Sequence, residues 1–248
     1  MAESENPHPR PRGIYLLPNL FTVSALFSGF YAIIAAIKGN FDNAAIATFI
    51  AMIMDTLDGR VARLTHTQTA FGAELDSLSD MVSFGIAPAL MLYTWGVGSL
   101  GKTGWLVSFI YTVAVALRLA RFNTQLAVSD KRFFRGLPCP AGAAVVVSAI
   151  WSCYEYGLQG RTTHIASAII AVLISLLMIS NLAYYSFKDF DLKNKVPFIV
   201  IVAVALFFVL ISVDPPIILL VVSVTFAVSG MVLWVWKQRR KHFKRNHH

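Results

Sequence analysis

Four aspartates interrupt an apolar stretch of the chain. From Met54 it reads MDTLDGRVARLTHTQTAFGAELDSLSDMVSFG. Asp55 and Asp58 are three residues apart, and Asp76 and Asp80 four apart, so each pair shares one face of a helix. An ionised side chain at the centre of a membrane helix costs on the order of 2.5–3.5 kcal/mol even on a lenient scale. Crowded carboxylates also repel one another. A hard divalent cation (Mg2+, Mn2+ or Ca2+) relieves both costs, because it takes oxygen ligands, and two such ions balance four negative charges. The stretch has no Cys, and His66 is its single imidazole, so a soft-metal site is not indicated. Gly59 and Ala62 continue the Asp55–Asp58 face, and Gly72 continues the face of Asp76 and Asp80. Such small residues leave a groove in which another helix, a flat base or a pyrophosphate can approach the backbone. Arg63, one turn on, suits phosphate oxygens. Cations, a guanidinium and a groove fit phosphoryl transfer, where catalysis is chiefly positioning and charge stabilisation.

The elements that must position these residues are membrane helices. The chain has 248 residues, of which 56% are hydrophobic and 14% charged, against roughly 25% charged in a soluble domain. Apolar stretches of spanning length fall near 16–37, 41–63, 72–97, 103–123, 140–157, 163–186, 196–212 and 215–236. Asp214, Pro215 and Pro216 mark the last turn. Asp55 and Asp58 close the second span while Asp76 and Asp80 open the third. A short connection makes these two spans antiparallel neighbours, with both acidic faces at one depth. An even number of spans places both termini on one side. All of the 21 Lys and Arg except Lys38, Lys102 and Arg161 then fall on that side, which the positive-inside rule makes cytoplasmic. The net charge of +8 is thereby accounted for by topology and anionic headgroups, with no nucleic acid required.

The expected class is all-α, a polytopic membrane helical bundle. Residues 1–12, polar and Pro-rich, are expected to be a disordered cytoplasmic tail, 13–237 a transmembrane catalytic domain, and 238–248 a basic cytoplasmic tail. Cys139 and Cys153 have no metal or disulfide spacing and are expected to be inert thiols. Arg60 reads as an interfacial anchor, and Glu74, His66 and Gln68 as headgroup or loop residues.

The spacing D-x2-D-G-x2-A-R-x8-G-x3-D-x3-D, met here by Asp55, Asp58, Gly59, Ala62, Arg63, Gly72, Asp76 and Asp80, resembles the signature of the CDP-alcohol phosphotransferases. Further text, IYLLPNLFTVSALFSGFYA, ALRLARFNT and FRGLPCPAGA, is similar to the bacterial branch of that family that uses serine as acceptor. The resemblance implies a six-helix core, here with two additional C-terminal spans, in the bacterial inner membrane. It implies Mg2+ or Mn2+, in two copies, on Asp55, Asp58, Asp76 and Asp80, with Asp80 also the general base. Gly59, Ala62, Gly72 and Arg63 would bind the CDP part of CDP-diacylglycerol. Transfer of the phosphatidyl group to the L-serine hydroxyl would release CMP, and a homodimer is implied. For the acceptor, Arg118 and Arg121 close the fourth span with Asn123 beyond; an arginine can hold a carboxylate by two parallel hydrogen bonds. Ser83, three residues beyond Asp80 on the same face, and Arg135, in the following loop, are further candidates for serine or phosphate. The alternatives are other acceptors in the same family (choline, glycerol 3-phosphate or an inositol phosphate) and a cation transporter built on the acidic cluster.

Overall fold

The computed structural model describes residues 16–125, 133–185 and 198–245. Eight helices run through them: α1 (Leu16–Ile37), α2 (Phe41–Leu64), α3 (Ala70–Trp95), α4 (Lys102–Gln125), α5 (Cys139–Glu155), α6 (Gly160–Ile179), α7 (Phe198–Val213) and α8 (Pro215–Arg245). Each falls on one of the eight expected stretches. Five contain segments long and apolar enough to cross a membrane: Leu17–Ile37, Ala70–Trp95, Lys102–Thr124, Gly160–Ile179 and Pro215–Val232. The other three differ for identifiable reasons. α2 is 24 residues long but carries Asp42, Asp55, Asp58, Arg60 and Arg63. α5 has 17 residues and α7 has 16, at or below the lower end of the ~17–25 that span a hydrocarbon core. The expected tail at 1–12 lies outside the described residues. The basic C-terminal stretch begins inside α8, which continues to Arg245.

The sixth stretch ends sooner than its hydropathy suggests. α6 stops at Ile179, and Ala183–Tyr185 form a strand, β2, that pairs antiparallel with β1 (Phe133–Arg135). Strands of three residues are too short to show an alternating pattern, so the all-α expectation passed over them. Gly136 N–H donates to Leu182 O at 2.8 Å and Leu137 N–H to Leu177 O at 3.0 Å, so the ribbon ties the start of α5 to the end of α6.

α1 and α2 form the tightest pair. Ala25, Ala32, Ala35 and Ala36 on α1 and Ala44, Ala45, Ala47 and Ala51 on α2 are all buried. Without a hydrophobic force between helices in lipid, close van der Waals packing of small residues is what joins them. α1 also packs against α3. At Gly29 the two backbones meet so closely that a Cβ would lie 2.7 Å from Ser83 Cα. Gly29→Ala is therefore expected to lower stability by about 1–3 kcal/mol through overpacking. Thermal unfolding in detergent checks this, and an unchanged midpoint would show that the two helices separate freely.

α2 and the first half of α3 meet through side chains rather than through close backbone packing. Among the described residues each packs on α1, and they make little backbone contact with one another. The chain turns between them at Thr65–Thr69, where His66 takes a left-handed conformation (φ 52°) and Thr69 caps α3 by accepting from Gly72 N–H at 3.0 Å. α1 thus packs against both of the helices that carry the aspartates.

α3 is not a uniform helix. Met81–Ile86, directly after Asp80, form a π turn in which Ala87 N–H reaches back five residues to Val82 O. Pro88 accounts for it: proline has no N–H for the Phe84 carbonyl, and its ring would collide with that carbonyl in an ordinary α-helix. The wider turn removes the collision.

Candidate active site

Three of the four aspartates converge. Carboxylate oxygens of Asp55 on α2 and of Asp76 and Asp80 on α3 all lie within 4.8 Å of one another, and all three residues are half-buried. Unrelieved, such an arrangement is repulsive. An all-oxygen set with this spacing fits a hard divalent cation. Asp58 stands outside that trio. It is buried, and its Oδ2 accepts a hydrogen bond from Thr22 Oγ1 of α1 at 2.8 Å. Ser79 Oγ in turn donates to Thr22 O at 3.2 Å. Thr22 therefore couples α2 and α3 through α1, and it orients Asp58 in the way that outer partners orient metal-binding carboxylates. Sequence reading missed Thr22, although a polar residue on an apolar span was the available signal.

The two glycines differ in the space beside them. A Cβ at Gly59 would meet nothing nearer than the Arg63 guanidinium, at 3.9 Å. A Cβ at Gly72 would lie 3.1 Å from Thr69 Oγ1 and 3.3 Å from Asn19 Oδ1. The groove at Gly72 therefore has two polar side chains at its edge, again unforeseen. Ala62 is half-buried, and Arg63 is exposed in the last turn of α2.

The remaining candidates separate. Arg118 Nη1 donates to Cys139 Sγ, at the start of α5, at 3.4 Å. A thiol is a weak acceptor. Arg118 Nε is buried with no hydrogen-bond partner among the described residues. Arg121 instead bonds to the end of α6, through Ile179 O at 3.4 Å and Asn181 Oδ1. Asn123 Nδ2 donates to Ser77 Oγ at 2.9 Å, bracing the residue next to Asp76. Ser83 faces away from the carboxylates: it is fully buried and donates to Ala25 O of α1 at 3.1 Å. Ser79, one turn earlier, also bonds to α1, so the two serines share the face packed on that helix. Arg135 lies in β1 opposite Ala183, and its side chain is outside the described part of the structure.

Comparison with known proteins agrees with this arrangement. Residues 15–180 match the family described as CDP-alcohol phosphatidyltransferase. A Helicobacter pylori CDP-diacylglycerol–serine O-phosphatidyltransferase is 38% identical over 94% of this chain and 97% of its own. A protein of the same description from Methanocaldococcus jannaschii is 34% identical over 90% of this chain and 96% of its own. An archaetidylserine synthase from Methanothermobacter thermautotrophicus is 36% identical over 68% of this chain and 69% of its own.

Proposed function

The chain belongs to the CDP-alcohol phosphatidyltransferase family, and on that basis we propose that it transfers the phosphatidyl group of CDP-diacylglycerol to the hydroxyl of L-serine, giving phosphatidylserine and CMP. It is a transferase of phospholipid synthesis with membrane helices. The observation that carries the reading is the meeting of Asp55, Asp76 and Asp80 at one point.

Asp55, Asp76 and Asp80, with Asp58 at their side, would hold the divalent cation, Mg2+ or Mn2+ and in two copies by the charge count. A cation there supplies neutralising charge to the pyrophosphate of the CDP-lipid. The protein's own groups do the rest. Gly59, Ala62 and Gly72 leave room for the cytidine and ribose against the backbone. Arg63, exposed at the end of α2, meets phosphate oxygens. Arg118 takes the serine carboxylate, since its buried Nε and its weak thiol partner leave it free to form a two-pronged pair. Asp80 accepts the proton of the serine hydroxyl as its oxygen bonds to the lipid-linked phosphorus, and the bond from that phosphorus to the CMP oxygen breaks. Asn123 braces Ser77 beside Asp76, and Arg121 braces the α4–α6 contact. Both therefore act on geometry rather than on substrate.

The distribution of basic residues supports both termini and the site facing the cytoplasm of a bacterial inner membrane, with α7 and α8 as spans added to a six-helix core. A homodimer is part of the same proposal. Serine is common to the names of all three relatives, while the lipid differs between phosphatidyl and archaetidyl.

The deciding experiment supplies purified protein with CDP-diacylglycerol and, in turn, serine, choline, glycerol 3-phosphate and an inositol phosphate. CMP release is expected with serine alone, and Arg118→Lys is expected to raise the serine KM about tenfold or more while leaving that for the CDP-lipid unchanged. Release with another acceptor in preference to serine would overturn the assignment.

A further inference from the structure

We propose that Tyr111 of α4 is a positioning residue: by holding the Phe84 carbonyl at the π turn of α3, it keeps Asp76 and Asp80 in rotational register with Asp55. This rests on the reading of those carboxylates as the metal-binding centre of the transfer reaction.

Tyr111 is completely buried, and its hydroxyl donates to Phe84 O at 3.1 Å. That carbonyl is the one deprived of its ordinary α-helical donor by Pro88. Buried carbonyl oxygens need partners. Tyr111 thus supplies, at the wide turn, the donor that Pro88 lacks. On the opposite side, Ser83 Oγ binds Ala25 O of α1 across the close approach at Gly29. The π turn is therefore held from both flanking helices, by one hydrogen bond each.

The turn has a consequence for the carboxylates. A π turn inserts about one residue, which rotates everything before it by roughly 100° relative to everything after it. Before it stand Asp76 and Asp80; after it stand Ala87, Pro88, Ala89, Met91 and Leu92, all buried in the bundle. The second half is anchored by packing. Closing the turn would therefore swing the first half, and with it the two carboxylates, away from Asp55. Functional sites are frequent neighbours of such turns, and here the turn begins at the residue immediately after Asp80.

The test uses full-length purified protein and two variants, with Mn2+ binding followed by electron paramagnetic resonance and turnover by CMP release. Tyr111→Phe keeps the ring and removes the bond. It is expected to weaken Mn2+ binding about ten- to a hundredfold, the usual range for losing an outer-shell partner, and to lower kcat with the serine KM unchanged. Pro88→Ala returns an N–H to the Phe84 carbonyl and allows the turn to close. Its thermal stability should hold or rise, because proline is a poor interior helix residue, while Mn2+ affinity and turnover fall. A residue that merely fills the core predicts Mn2+ binding and kcat intact in both variants. Wild-type Mn2+ affinity in either variant overturns the proposal. If Tyr111→Phe does not fold, Pro88→Ala decides alone. Should the wild-type protein bind Mn2+ but release no CMP with serine, the transfer reading fails. The Mn2+ measurements would then still judge the register.

Discussion

Asp80→Asn is expected to abolish CMP release, by about 10²–10⁴-fold or more, while leaving the protein folded. The amide is nearly the same size as the carboxylate, so packing is retained, but it cannot accept the serine proton. Asp80 lies within 4.8 Å of both Asp55 and Asp76, so replacing it also removes one of three mutually repelling charges. The metal-free variant should consequently melt at the wild-type temperature or above it, and added Mn2+ should raise that temperature less than it does in wild type. This combination, stability held and turnover lost, separates a catalytic role from a structural one. Turnover at the wild-type rate in Asp80→Asn would remove this residue from the mechanism.

Chelation should have an effect of the same size. With EDTA in excess, turnover is expected to fall to background, and Mn2+ or Mg2+ should restore it. A ligand that binds the folded state at about a hundred times its dissociation constant stabilises it by about 2.7 kcal/mol, so the melting temperature should drop on chelation and recover with the ion. Asp55→Asn and Asp76→Asn should each remove that recovery, because these residues and Asp80 bring their oxygens to one point from two helices. Asp58→Asn should weaken it less, since Asp58 is engaged with Thr22. Turnover indifferent to the chelator, with no ion-dependent melting shift, would show that the three carboxylates meet for another reason.

Much of this site was legible before any coordinates. The i, i+3 and i, i+4 spacing of the aspartates, their cost in an apolar helix and the intervening Gly, Ala and Arg are properties of neighbouring residues, and they pointed to a cation and a phosphate together. The same local character made the eight helices readable, although the three-residue strands and the early end of α6 were not. Arg118 and Ser83 were both acceptor candidates, with helix packing the stronger reading for Ser83. The structure agrees, leaving Arg118 with a buried nitrogen unpartnered among the described residues and placing Ser83 against α1. Pro88 was the one written sign of the π turn in α3, since proline inside an apolar span signals a break in the helix.

The sequence by itself determined the class of chemistry, the membrane setting and the helices that carry the aspartates, because periodicity, charge and spacing act over a turn or two of chain. Tertiary structure alone decided that Asp55, Asp76 and Asp80 meet while Asp58 bonds to Thr22, that α1 packs against both acidic helices, and that Arg118 Nε is buried without a partner among the described residues. Those outcomes depend on how each helix is rotated about its own axis, and that rotation is set by close packing between residues far apart in the chain, at Gly29 against Ser83 and Tyr111 against Phe84.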